Sequence, residues 1–139
     1  MVISTEQIET INANPLYQTI GMRVISAEDG RIISHLTPPE NVCWPFPGQP
    51  HGGILFTQMD STMAWAALSK AGEGTNCGTI NLEIQYPSPA KGGFFTCETQ
   101  VLHFTGRSCF VRGETRDKDG TLVAMGQGTF RIIKVHPIL

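Results

Sequence analysis

The sequence predicts an α+β fold in which one antiparallel sheet packs on a single long helix. Twenty residues from His51 to Lys70 run without proline and, after two glycines, are rich in Leu, Met, Ala and aromatics. From residue 79 to residue 133 apolar side chains recur with period two between Pro and Gly turn signals, the mark of half-buried strands. Strands and helices do not alternate, so a parallel sheet built from βαβ units is excluded.

Each element has a local reason. Ser4 can cap a short helix over 4–13, with Ile8 and Ile11 on one face and Asn14-Pro15 as its stop. Runs 21–27 and 31–37 meet at Asp29-Gly30, a hairpin signal. The segment 38–50 holds five prolines and a glycine and is loop. The central helix spans about 52–70, ends at Ala71-Gly72-Glu73-Gly74, and is apolar on nearly every side, which predicts burial on more than one face. In 79–86 the residues Ile80, Leu82, Ile84 and Tyr86 alternate with Thr79, Asn81, Glu83 and Gln85. Runs 93–104, 107–116 and 121–133 continue the sheet, and Ala124, Gly126 and Gly128 share one face of the last, leaving room for a bulky neighbour.

At 139 residues the chain forms one domain, residues 1–139. A hydrophobic fraction of 40% and a charged fraction of 16% describe an ordered globular protein. The formal charge of -2 and the pI near 6.0 argue against a nucleic-acid partner. No apolar run spans a bilayer and the N-terminus is polar and acidic, so no membrane association and a cytoplasmic location are expected. Cys43, Cys77, Cys97 and Cys109 form no C-x-x-C pair and have no His at zinc-site spacing; they read as reduced structural residues, and no metal is expected.

Asp60 is the only charged residue between Ile54 and Ser69 and lies too far into its helix to cap it. A carboxylate there is costly unless paired, hydrogen-bonded or used. Thr57 and Ser61 flank it as a narrow polar stripe. His51-Gly52-Gly53 opens the same helix, where N–H groups at the positive end of the dipole can polarise a carbonyl oxygen. Nine residues of helix separate His51 from Asp60 by ~13 Å. The two features therefore cannot meet on one carbonyl within one chain, and a shared substrate requires a homodimer.

His51-Gly52-Gly53 with Asp60 nine residues beyond the histidine, within PHGGILFTQMDSTMAWAAL, resembles the hotdog-fold acyl-CoA thioesterases. The likeness is to the phenylacetate-pathway and thioesterase-superfamily-member-2 branch. It extends to Tyr86-Pro87-Ser88-Pro89-Ala90-Lys91 and to the Gly106-Arg107 turn, over roughly residues 15–133. The resemblance implies an antiparallel sheet wrapped around the central helix. It further implies hydrolysis of an aryl- or medium-chain acyl-CoA to free acid and CoA, with no cofactor beyond the coenzyme A of the substrate. In it the Gly53 N–H, with Gly52 beside it, polarises the carbonyl, and Asp60 of a partner subunit is general base or nucleophile. Thr79 helps hold the water, His51 supports the helix mouth, and Lys91 and Arg107 meet the CoA phosphates. Relatives often carry an asparagine six residues before the histidine, where this chain has Pro45; Asn41 can replace it only if the loop folds back. Trp44 and Phe46 of that loop are candidates to line an acyl pocket. A homotetramer of two dimers is implied as well. Two other readings remain: a non-catalytic hotdog binder of CoA or acyl chains and, more distantly, a dehydratase or hydratase, which needs a catalytic His, whereas His35, His103 and His136 lie in or after predicted strands and outside any motif.

Overall fold

In the computed structural model the described residues are 3–135. A short helix α1 (Thr5–Asn12) is capped by Ser4, whose hydroxyl accepts from the Gln7 N–H while the Gln7 side chain accepts from the Ser4 N–H. Pro15 ends this helix and also begins a second, α2 (Pro15–Ile20), with Asn14 as its cap. Asn14-Pro15 therefore does more than stop α1: proline is equally suited to the first turn of a helix, where no N–H is needed.

A hairpin follows, β1 (Met22–Glu28) and β2 (Arg31–Leu36), turning at Gly30 with φ 76°. After the proline-rich loop comes α3 (Gly52–Ala71), and then β3 (Thr75–Gln85), β4 (Phe95–Phe104), β5 (Ser108–Asp117) and β6 (Leu122–Lys134). The six strands form one sheet in the order β1-β2-β4-β5-β6-β3, every pairing antiparallel, with α3 across its inner face. This is the sheet around a central helix that the resemblance implied.

Small residues set the distance between helix and sheet. A Cβ on Gly126 would lie 2.7 Å from the Met59 sulfur, one on Gly128 2.9 Å from the Met63 sulfur, and one on Gly113 3.0 Å from the Met63 Cε. Met59 and Met63 thus sit in the space the glycines vacate, and Ala124 continues the surface, as the sequence pattern predicted. Leu55, Ala66, Ile32, Phe95, Val111 and Phe130 complete the core, the larger ones each stabilising by ~1.5–3 kcal/mol. Beside them Ser34, Gln58 and Thr62 form a buried polar group that pins α3 to β2, with Ser34 and Thr62 hydroxyls 2.7 Å apart.

Strand β3 departs from its predicted form. It begins at Thr75, four residues early, and carries a bulge between Thr79 and Asn81. A bulge adds one residue and inverts the alternation. Cys77 and Thr79 face the helix before it, Leu82 and Ile84 after it, and Ile80 is 57% exposed rather than sharing the Leu82 face. β3 is also a sheet edge, so among the described residues one side of its backbone ladder has no neighbouring strand.

Candidate active site

The helix buries Leu55, Met59, Met63 and Ala66 against the sheet, and Asp60 lies on its other, half-buried side. Every residue from 54 to 71 is at least partly covered, yet Asp60 is less enclosed than the sequence suggested, because that side of α3 is covered only in part within one chain. Its Oδ1 accepts a 2.7 Å hydrogen bond from the Thr79 hydroxyl. Among the described residues no cation pairs with it, so of the ways to hold a carboxylate there the fold supplies a hydrogen bond and not an ion pair.

The bulge in β3 makes the Thr79 contact possible, since it keeps Thr79 on the helix side while the apolar residues beyond it also turn inward. Cys77, two residues earlier, donates to the Ala64 carbonyl at 3.6 Å. Burial first, and then the negative charge of Asp60, push its thiol up to about 11. Cys97 and Cys109 are likewise held at about 11, chiefly by burial, so these three are thiols rather than thiolates at neutral pH.

At the other end of β3 the helix mouth is built by His51. Its Nδ1 accepts from the Gly53 N–H at 2.9 Å, which makes it the N-cap of α3 and places the ring proton of the neutral imidazole on Nε2. Trp44 stacks on His51 with ring centroids 5.4 Å apart. The sequence assigned the Gly53 N–H to a substrate carbonyl; in the resting chain His51 takes it. Tyr86, which the sequence placed only at the end of a strand, donates its phenol to the Gly52 carbonyl at 2.7 Å. Its position directly before Pro87, where the strand stops beside the helix mouth, was the available signal.

The proline-rich loop does fold back. His51 N–H donates to the Val42 carbonyl at 3.1 Å, Trp44 N–H to the Gln49 carbonyl at 2.9 Å, and Cys43 and Pro50 form an antiparallel bridge. Asn41, in the 3-10 turn Glu40–Val42, therefore stands next in the chain to the residue that holds His51. A groove beside Gly52 is lined by Trp44, Pro50, Leu55, Tyr86 and Pro87 among others. Phe46 is 64% exposed and is not among its walls.

Lys91 and Arg107 are not brought together. Lys91 is exposed just beyond Ala90, which lines that groove at the start of α3, whereas Arg107 lies in the β4–β5 turn near Ala71 at the opposite end. His35 packs against Phe94 and His103 beside Phe110, and His136 falls outside the described residues. Among the described residues no group of His, Cys, Asp or Glu is arranged to hold a metal ion, and no helix is long and apolar enough to cross a membrane.

Comparison with known proteins bears on this geometry. The family model of the thioesterase superfamily matches residues 48–124, a span that contains His51, Gly52, Gly53, Asp60 and Thr79. A Saccharolobus solfataricus protein provisionally named an esterase is 30% identical over 122 residues, covering 88% of this chain and 86% of that protein. The fold is that of a Haemophilus influenzae thioesterase, with a TM-score of 0.88 at 14% identity over 99% of this chain and 96% of the other. It is also that of the Escherichia coli PaaI protein of the phenylacetic acid degradation operon, at TM-score 0.80 and 21% identity over 92% and 93% of the two chains.

Proposed function

The chain belongs to the thioesterase superfamily, its hydrolase chemistry is of the thioesterase kind, and from that premise we propose that it is an acyl-CoA thioesterase whose active site is shared across a homodimer. The observation that carries the reading is the placement of both half-sites along one unpaired edge strand. Thr79 meets Asp60 near the middle of β3, and Tyr86, just past its end, meets Gly52. Antiparallel pairing of β3 with a second copy, about a two-fold axis between Leu82 and Glu83, sets Thr79 opposite the partner's Tyr86. It thereby brings Asp60 to the partner's Gly52-Gly53 mouth. Two such dimers make the tetramer.

In this arrangement the helix-mouth N–H groups of one subunit polarise the thioester oxygen, where charge develops as the carbonyl becomes tetrahedral. The carbonyl shares or displaces the bond that His51 now receives from Gly53, with Gly52 as the adjacent donor. Thr79 spends its proton on Oδ1 of Asp60, which leaves Oδ2 to take a proton from water and fixes the carboxylate's orientation. Water attacks the carbonyl carbon, the C–S bond breaks, and the proton held by Asp60 passes to the departing CoA thiolate. The groove of Trp44, Leu55 and Tyr86 suits an aryl or medium-chain acyl group.

Free thiol release from a panel of aryl and alkyl acyl-CoAs tests the activity, with wild type beside Asp60→Ala and Asp60→Asn; turnover indifferent to Asp60 sinks the mechanism. Subunit mixing tests the sharing. Asp60→Asn and Gly53→Pro are each expected to be inactive, the latter because proline fits the first helical turn but has no N–H. Mixed dimers recover one intact site, about a quarter of wild-type activity after random exchange. No recovery, with exchange verified, means that each chain holds a whole site. Single turnover in oxygen-18 water bears on base against nucleophile: label found in Asp60 requires an anhydride at Asp60 opened at its own carbonyl, whereas a general base leaves Asp60 unlabelled.

A further inference from the structure

The Gly52 carbonyl and the Gly53 N–H are the two ends of one planar peptide unit. A different side chain holds each end. The Tyr86 phenol donates to the carbonyl oxygen at 2.7 Å, and the N–H donates to His51 Nδ1 at 2.9 Å. His51 caps the helix and stacks on Trp44, whereas Tyr86 arrives from 34 residues after Gly52, directly beyond the end of β3. The Tyr86 ring lies over Gly52, its Cζ 3.4 Å and its oxygen 3.5 Å from where a Cβ would stand. It therefore approaches from the side on which glycine has no side chain.

The two holds are not equivalent. N–H groups in the first turn of a helix have no partner within it, which leaves this one free to meet a ligand. A thioester oxygen that takes the Gly53 N–H takes it from His51, so that hold is shared or lost when substrate binds. Tyr86 acts on the opposite end of the peptide and does not compete with the substrate. Two successive glycines give the backbone its greatest freedom, so a peptide released at one end depends on the other end being fixed. The bond has an electronic effect as well. A donor on the carbonyl draws electron density toward oxygen and leaves the N–H a stronger donor, as along any chain of hydrogen bonds. Partial burial raises the Tyr86 pKa, so the phenol keeps its proton and remains a donor through the neutral range.

We propose that Tyr86 is a positioning residue of the thioester site: its phenol keeps the Gly52–Gly53 peptide aimed and polarised while the substrate oxygen replaces His51 on the N–H. The inference rests on the thioesterase reading for its reaction and deepens it. It gives Tyr86 a duty beyond lining the groove, exercised through the peptide rather than on the substrate. An oxyanion donor contributes about 10²–10³ in kcat, and a neighbouring bond strengthens a hydrogen bond by roughly 10–30%. Applied to that exponent, the loss of the phenol lowers kcat about two- to eightfold.

Two measurements test this, one of them independent of turnover. Glycine labelled with carbonyl carbon-13 and nitrogen-15 reports only Gly-Gly peptides in a carbonyl-to-amide correlation spectrum, and the chain has two, Gly52-Gly53 and Gly92-Gly93. In Tyr86→Phe the Gly52 carbonyl and Gly53 amide resonances are expected to shift together. The Gly92-Gly93 peak, whose N–H bonds to the Gly48 carbonyl, is the control and stays in place. Ortho-fluorotyrosine, a more acidic phenol, incorporated into the otherwise unaltered chain should move the Gly52-Gly53 peak the opposite way. A Gly52-Gly53 peak unmoved by both changes overturns the proposal. In turnover, Tyr86→Phe is expected to lower kcat by the factor above and to keep KM for acyl-CoA within about twofold, with the oligomer and melting temperature of wild type. Sulfur in place of the substrate's carbonyl oxygen is a poor acceptor and isolates the oxyanion bond. The rate penalty for that dithioester should shrink in Tyr86→Phe by the factor that kcat for the thioester falls. A raised KM, with kcat and the sulfur penalty unchanged, makes Tyr86 a wall of the groove only and refutes the positioning role. Peak shifts as expected in a protein that hydrolyses no thioester sink the thioesterase reading and uphold the hold on the peptide.

Discussion

Replacing Thr79 by Val removes one hydroxyl and keeps the branched shape, so it isolates the 2.7 Å hydrogen bond to Asp60. Bonds to a charged group contribute ~1.5–3 kcal/mol. Thr79 is exposed in a single chain, which argues for the lower end of that range. At ~1.4 kcal/mol per tenfold in rate, a loss of ~1.5 kcal/mol lowers kcat about tenfold, provided the bond orients the carboxylate in the transition state. Thr79→Ser, which keeps the donor, is expected to stay within about threefold of wild type on the same arithmetic. The assay is steady-state thiol release with Val and Ser variants side by side, after verifying that each forms the same oligomer as wild type. A Val variant with wild-type kcat would falsify the positioning role. A Val variant as dead as Asp60→Ala would refute it from the other side, because a residue that only orients the base cannot cost as much as the base itself.

Three further outcomes are expected. Gly126→Ala puts a Cβ 2.6 Å from the Glu83 carbonyl oxygen and 2.7 Å from the Met59 sulfur; the sulfur can yield but the ladder backbone cannot, so a loss of ~2 kcal/mol should appear as a lowered melting temperature. Because the charge of Asp60 helps hold Cys77 at about 11, Asp60→Asn should lower the pH at which Cys77 reacts with a thiol reagent, burial still keeping it above the ordinary thiol range; an unmoved profile would separate the two groups. Burial lowers the His35 pKa in the folded chain, so below its unfolded value of ~6.5 the unfolded state binds more protons. Stability should therefore fall as pH drops from about 6.5 toward the lowered value, and His35→Gln should flatten that part of a pH-dependent denaturation curve.

What the sequence by itself determined is what local physics dictates. Proline and glycine placement bounded the long helix to within a residue of Gly52–Ala71, and period-two alternation found the strands that follow it. The lone charge on an apolar helix singled out Asp60, and the small residues at 124, 126 and 128 announced the close approach of Met59 and Met63. The resemblance carried by His51-Gly52-Gly53 and Asp60 supplied the family.

The tertiary structure decided what depends on register and on chain return. A bulge of one residue in β3 inverts its alternation, and no composition marks it, so the inward turn of Thr79 and the exposure of Ile80 were invisible beforehand. The capture of the Gly53 N–H by His51 depends on one side-chain torsion at the helix mouth, and the Tyr86 bond to Gly52 on where a strand 34 residues later happens to end. Arg107, Arg131 and Lys134 look like scattered surface charge in the linear chain; only the pairing of Ser108 with Arg131 and of Thr75 with Lys134 makes them neighbours. Contacts near in sequence are written in spacing, whereas these are fixed by which strand lies beside which, and that is settled by packing the whole sheet on one helix.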